Sequence, residues 1–137
     1  ALEELFSHAA NRPGFVLHPV RKLDSDGEPM FSTPHTADYW HDAQAWLDKK
    51  FGPGQVIAPL IIASDATILS GNDRQRVWAV YLSIANIALR LRWRDEGRIL
   101  LALLPEGDKS FTPAEKVALF QAAMAVVLED LTKASHT

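Results

Sequence analysis

The chain has 137 residues, of which 47% are apolar and 23% charged, with a net charge of −3 and no cysteine. That size and balance suit one folded domain with a core of its own. The missing cysteine excludes a disulfide framework, a Cys-containing zinc site and a cysteine nucleophile, and fits an intracellular setting; no apolar run reaches the roughly 18 residues of a membrane span, so no membrane partner is expected.

Leu2, Leu5, Phe6 and Ala9 recur at helical spacing and predict a short first helix, stopped by the turn-forming run Asn11 to Gly14. Residues 18–34 carry Pro19, Gly27, Pro29 and Pro34 without periodicity and read as an irregular arm. A second helix is expected over 37–50, capped by Thr36, with Trp40, Ala43, Trp46 and Leu47 as its apolar stripe and Gly52-Pro53-Gly54 as its stop. Asp38 and Asp42 share one face of it near His35 and His41, which are suitable metal-ligand types, but no known ligand spacing supports a site and acids in a first helical turn are ordinary dipole chemistry.

The run Val56 to Ser64 is short, apolar and β-branched and reads as a buried strand whose regular part begins after Pro59. Alternation places Ile61, Ala63 and Asp65 on one face, with Asp65 closing the strand and Ser70 to Asp73 forming the following turn. Trp78 to Ile84 alternates as a second strand and Arg98 to Leu104 forms a third. Thr112-Pro113-Ala114-Glu115 then carries every mark of a helix start, followed by an apolar stripe of Val117, Phe120, Met124, Val127 or Leu128, and Leu131. The fold class expected is therefore α/β or α+β: a three-stranded antiparallel meander plus a long helix over residues 55–137, preceded by a helical and irregular arm over residues 1–54.

Charge is unevenly spread along these elements. Residues 74–98 hold six arginines, Arg74, Arg76, Arg90, Arg92, Arg94 and Arg98, against Asp95 and Glu96, so a segment of net +4 sits inside an acidic average. Arginine is the better phosphate clamp because its planar fork donates hydrogen bonds in pairs; a solvated hairpin end is the plainer reading of the same pattern. The common Gly-rich phosphate loops, the serine-hydrolase elbow and the zinc-protease helix motif are all missing from the sequence.

Five blocks in order carry a resemblance: Pro34 to Trp40, Ile57 to Asp65, Thr67 to Ser70, Trp78 to Asn86, and Arg98 to Pro105. They resemble the Plavaka-type transposases of fungi, which group with the CACTA-like and Kyakuja-Dileera-Zisupton DNA transposases. The resemblance implies a partial RNase H-like fold, a nuclear protein and DNA as partner. It implies that Asp65 is the first carboxylate of a DDE-type centre, both catalytic and metal-binding, where two Mg²⁺ ions serve phosphoryl transfer. It also turns Arg90, Arg92, Arg94 and Arg98, in the connection between the second and third strands, toward DNA phosphate. Ala66 stands where the family carries Lys, Ala79 replaces the Pro of its Trp-Pro-Val pattern, and Glu129 and Asp130 do not match its later acidic motifs.

These departures lead to the expectation of a fragment or decayed copy, inactive by itself and not holding Mg²⁺ stably. A non-enzymatic DNA-binding or interaction module is the alternative, self-associating through the open edge of strand 56–64. A third reading, an unrelated small α/β domain, requires either that Asp65 lie away from a strand end or that residues 56–64 not pair with 77–84.

Overall fold

The computed structural model describes residues 2–68, 76–106 and 110–134. The first helix, α1, spans Leu2–Ser7. It does not simply stop at Asn11 but passes into a 3₁₀ segment, Ala9–Gly14, because the proline there still tolerates the tighter turn. The arm that follows is irregular apart from a small closed turn. Leu23 bridges Pro29, the Asp24 carboxylate accepts from the backbone N–H groups of Asp26 and Glu28, both at 2.9 Å, and Gly27 takes the positive φ of 85° that the turn requires.

Helix α2 runs Asp38–Phe51 and ends at Gly52, whose φ of 87° suits glycine. Thr36 does not cap it. Its buried hydroxyl instead closes the preceding 3₁₀ turn, Pro34–Thr36, donating to Thr33 O at 2.8 Å and accepting from Ser32 N at 3.0 Å. Trp40 is buried as expected, but Trp46 is 57% exposed and its place inside is taken by Gln44. The buried Gln44 donates from Nε2 to Asp48 and to Gln55 O, both at 2.9 Å, while its Oε1 accepts no hydrogen bond among the described residues.

Strands β1 (Leu60–Ile68), β2 (Arg76–Ile84) and β3 (Ile99–Pro105) form an antiparallel sheet in the order β1-β2-β3. The mixed α/β class is thus the one expected, and β1 begins directly after Pro59, which cannot donate to a ladder. The expectation of a buried first strand fails: only Ile61 is even half-buried, and β1 stands at an edge of the sheet. Between β2 and β3 lie a short helix α3 (Leu89–Arg92) and a 3₁₀ turn (Asp95–Gly97). The expected Ser70 to Asp73 turn, together with Arg74, lies outside the described residues.

Helix α4 (Pro113–Val127) opens on the expected capping box. Glu115 N–H donates to the Thr112 hydroxyl at 3.3 Å, and Thr112 N–H donates to the Glu115 carboxylate at 2.7 Å. The long tail helix breaks at Leu128 into α4 and α5 (Glu129–Ala134). Of the predicted stripe, Phe120, Met124, Val127, Leu128 and Leu131 are half-buried, whereas Val117 is 61% exposed. The helix is apolar on nearly every side, so the pattern alone does not choose which side is covered.

The chain groups into two compact units that interleave in sequence, residues 1–61 with 83–99, and residues 62–82 with 100–137. In the first, Leu5, Trp40, Ile84, Ala85, Ile87 and Leu91 are buried. In the second, the buried residues are Ala79, Val80, Leu82 and Leu104, and the Trp78 ring packs edge-on against Phe120 at 5.9 Å. A cavity of about 310 Å³ in this unit is lined by Trp78, Pro105, Val117 and Phe120 with Glu106 and Lys116.

Candidate functional site

The segment that leaves β2 is anchored before it reaches its arginines. Asn86 is fully buried; its side-chain Nδ2 donates to Val16 O at 3.0 Å and Ile57 O at 2.9 Å, while its backbone carbonyl accepts from Val16 N–H at 2.7 Å. Ala85 N–H donates to Pro59 O and Ala88 N–H to Gly14 O, each at 2.8 Å. One asparagine therefore ties together three stretches of chain that would otherwise bury unpaired carbonyls. This explains why an amide sits at the end of an apolar run.

The connection itself is held just as firmly. Arg92 folds back, its guanidinium donating to Ile87 O at 2.9 and 3.3 Å and to Ala85 O at 3.2 Å. Burial pulls its pKa below the ordinary arginine value without a carboxylate to offset it. Ser83 Oγ donates to Gly97 O at 2.6 Å, and Asn11 Nδ2 donates to Glu96 O at 2.7 Å. Gly97 packs on the Leu91 carbonyl and on Arg92 Cα so closely that an added Cβ would lie 2.7 Å from the latter. Glycine is needed here for close approach, not for its φ.

The four arginines named from the sequence thus fall into different settings. Arg90 and Arg94 are exposed and their side chains make no hydrogen bond or ion pair among the described residues. Arg92 is committed to backbone carbonyls. Arg98 is half-buried and reaches Asp95 at 3.5 Å. Trp93, which counting charges passes over, stands between Arg92 and Arg94 and is 72% exposed; its position inside an arginine run was the signal that could have singled it out. His35, in the same unit, has its pKa lowered first by desolvation and then by Lys22 and Arg92.

Asp65 belongs to the other unit. It is exposed, and β1 runs on to Ile68, so Asp65 lies within the strand rather than closing it. The strand runs on through Ala66 to the β-branched pair Thr67 and Ile68, residue types that favour extended backbone. Among the described residues no group of three or more His, Asp or Glu could hold a metal ion. On α2, Asp38 is engaged with Arg21 at 3.0 Å. No helix among the described residues is long and apolar enough to cross a membrane.

The position of Asp65 alone would favour an unrelated domain, but the pairing of β1 with β2 does not. Comparison with known proteins decides the point. A search of curated proteins and a search of solved structures returned no match. The family model described as Plavaka transposase matches residues 1–137, from end to end. That match covers the arm and the tail helices as well as the five blocks that first suggested it, and on this ground the chain belongs to the Plavaka transposase family.

Proposed function

We propose that this transposase-derived chain carries the first part of an RNase H-like core, binds DNA through the β2–β3 connection, and does not cut DNA by itself. The observation that carries the reading is the β-β-β-α order with an aspartate on its first strand, in a chain that matches the transposase family throughout. On this reading residues 1–54 are an arm and residues 55–137 the partial core. Asp65 is the inherited first carboxylate of a DDE set, and the acids that would complete a Mg²⁺ site come from outside the described residues. Arg90 and Arg94 meet phosphate, Arg98 sits at the rim, and Arg92 supports the loop that presents them. DNA as partner makes the nucleus the place of action.

The test uses the purified chain. Incubated with supercoiled plasmid and Mg²⁺, it is expected to leave the plasmid intact. Nicking that disappears in Asp65→Asn would overturn the inactivity. Labelled DNA is expected to bind with an affinity that falls as salt rises, and Arg90→Ala with Arg94→Ala is expected to weaken it; no binding of either duplex or single-stranded DNA at low salt would remove the DNA-binding reading.

The exposure of β1 favours a second reading beside the first. Leu60 and Ile62 are each 40% exposed on a strand with a free edge, and such an edge offers unpaired N–H and C=O groups to another chain. Self-association through this edge is expected in sedimentation and should be lost in Ile62→Lys; a chain that stays monomeric at high concentration would exclude it.

A further inference from the structure

Among the exposed aromatic residues, two tryptophans stand in contrast. Trp46 is 57% exposed but occupied: Phe51 meets its ring edge-on at 6.3 Å and Lys50 Nζ lies 4.8 Å from its centre. Trp93 is 72% exposed, and no ring or cation is stacked on it among the described residues. An indole left in water forgoes about the largest apolar burial any side chain offers. Its exposure is not the result of a loose loop. The turns on either side are pinned by Arg92 to Ala85 O and Ile87 O, by Ser83 to Gly97 O, and by Asn11 to Glu96 O. The backbone around Trp93 is therefore set in advance, and a ligand need not order it.

The flanking charge suggests what the ring meets. Arg90 and Arg94 point no donors at the described residues and are exposed on the same short connection. Arg92 is turned inward and Asp95 is engaged with Arg98. Two outward cations alone make a weak phosphate site. Two cations around an unpartnered indole match the arrangement that holds single strands, where arginines follow the phosphates and an aromatic face takes a base.

We infer that Trp93 is a stacking platform for an unpaired DNA base, with Arg90 and Arg94 on the neighbouring phosphates, so that the connection prefers single-stranded or opened DNA to intact duplex. The inference rests on the DNA-binding reading above and specifies the form of DNA it takes. In a duplex every base already stacks on its neighbours, and Trp93 gains nothing without first opening a step.

The experiment is fluorescence anisotropy with labelled oligo(dT) and with a duplex of the same length, using the wild-type chain, Trp93→Ala, Trp93→Phe and the Arg90→Ala/Arg94→Ala pair. Wild type is expected to bind the single strand more tightly. Trp93→Ala should lose roughly tenfold on oligo(dT) and leave duplex affinity essentially unchanged, and Trp93→Phe should recover most of the loss. The arginine pair should weaken both ligands and flatten the salt dependence. If the arginine pair weakens both ligands but Trp93→Ala changes neither, or changes both equally, the stacking inference is overturned and the DNA-binding reading stands. If wild type binds neither ligand, the DNA-binding reading itself falls. An arginine-flanked indole also suits an anionic lipid surface; tighter binding to phosphatidylserine vesicles than to oligo(dT) would overturn the inference in favour of that surface.

Discussion

β1 and β2 are neighbouring strands of nine residues each, and aliphatic residues make up more than half of both. Eight of the nine residues of β1 are exposed, whereas Ala79, Val80, Leu82, Ser83 and Ile84 of β2 are buried. Aliphatic content does not separate them; what covers their side chains does. β2 has a partner on each side, and the segment that leaves it is buttressed by Asn86. Among the described residues, β1 has a strand partner on one side only. A strand of this kind contributes its ladder to the fold but little apolar burial, and its remaining surface is free to serve another contact.

The contrast can be broken most directly by truncation. Leu82→Ala should cost about 2–5 kcal/mol and Ile62→Ala less than about 1 kcal/mol, read as shifts of the urea midpoint at constant slope. Equal losses would mean that β1 is covered after all. The firmness of the segment after β2 is tested next by Gly97→Ala. Its methyl meets the Leu91 carbonyl and Arg92 Cα, both backbone-bound and unable to step aside, and a loss of about 1–3 kcal/mol is expected.

A finer comparison sets Arg92 against Arg94. Arg92→Ala strips two buried carbonyls of their charged donor and should cost about 1–2 kcal/mol. Arg94→Ala should leave stability within about 0.5 kcal/mol and act on DNA affinity instead. If Arg94→Ala destabilises as much as Arg92→Ala, the division between inward and outward arginines is wrong.

A local comparison concerns the start of α4. Thr112 donates to the Glu115 carboxylate through its backbone N–H at 2.7 Å and its hydroxyl at 2.8 Å, and these bonds hold the carboxyl pKa below its ordinary value. A carboxylate with a depressed folded pKa stabilises fully above the unfolded value and stops doing so as pH falls through the folded one. Stability should therefore decline on the acid side of the ordinary glutamate range, and Glu115→Gln should remove that part of the decline. Thr112→Ala should lower stability by about 1 kcal/mol near neutral pH.

Much of this was legible in the linear chain where the cause is local. The Thr112 to Glu115 box, the glycines after α2 and the start of β1 after Pro59 each depend on groups within a few residues, and each appears where it was expected. Errors arose where a local pattern admits two outcomes. Thr36 could cap α2 or close the turn before it, and the buried hydroxyl chose the turn. Trp46 and Gln44 compete for the inner side of α2, and hydrogen bonds to Asp48 and Gln55 favoured the glutamine. At the candidate site, counting charge treated as equivalent four arginines that the fold places in different settings, and it overlooked Trp93.

The sequence by itself determined the kind and order of the main strands and helices, the transposase family and the basic segment. All of these rest on short-range chemistry, on capping and strand propensity, and on blocks of residues in a given order. Tertiary structure alone decided that β1 is exposed, that Arg92 turns inward while Arg90 and Arg94 face solvent, and that Trp93 has no stacking partner among the described residues. Those outcomes depend on carbonyls and side chains brought from distant parts of the chain, such as Gly14, Val16 and Ile57 around Asn86 and its neighbours. Burial is a property of the surroundings, and no local pattern contains them.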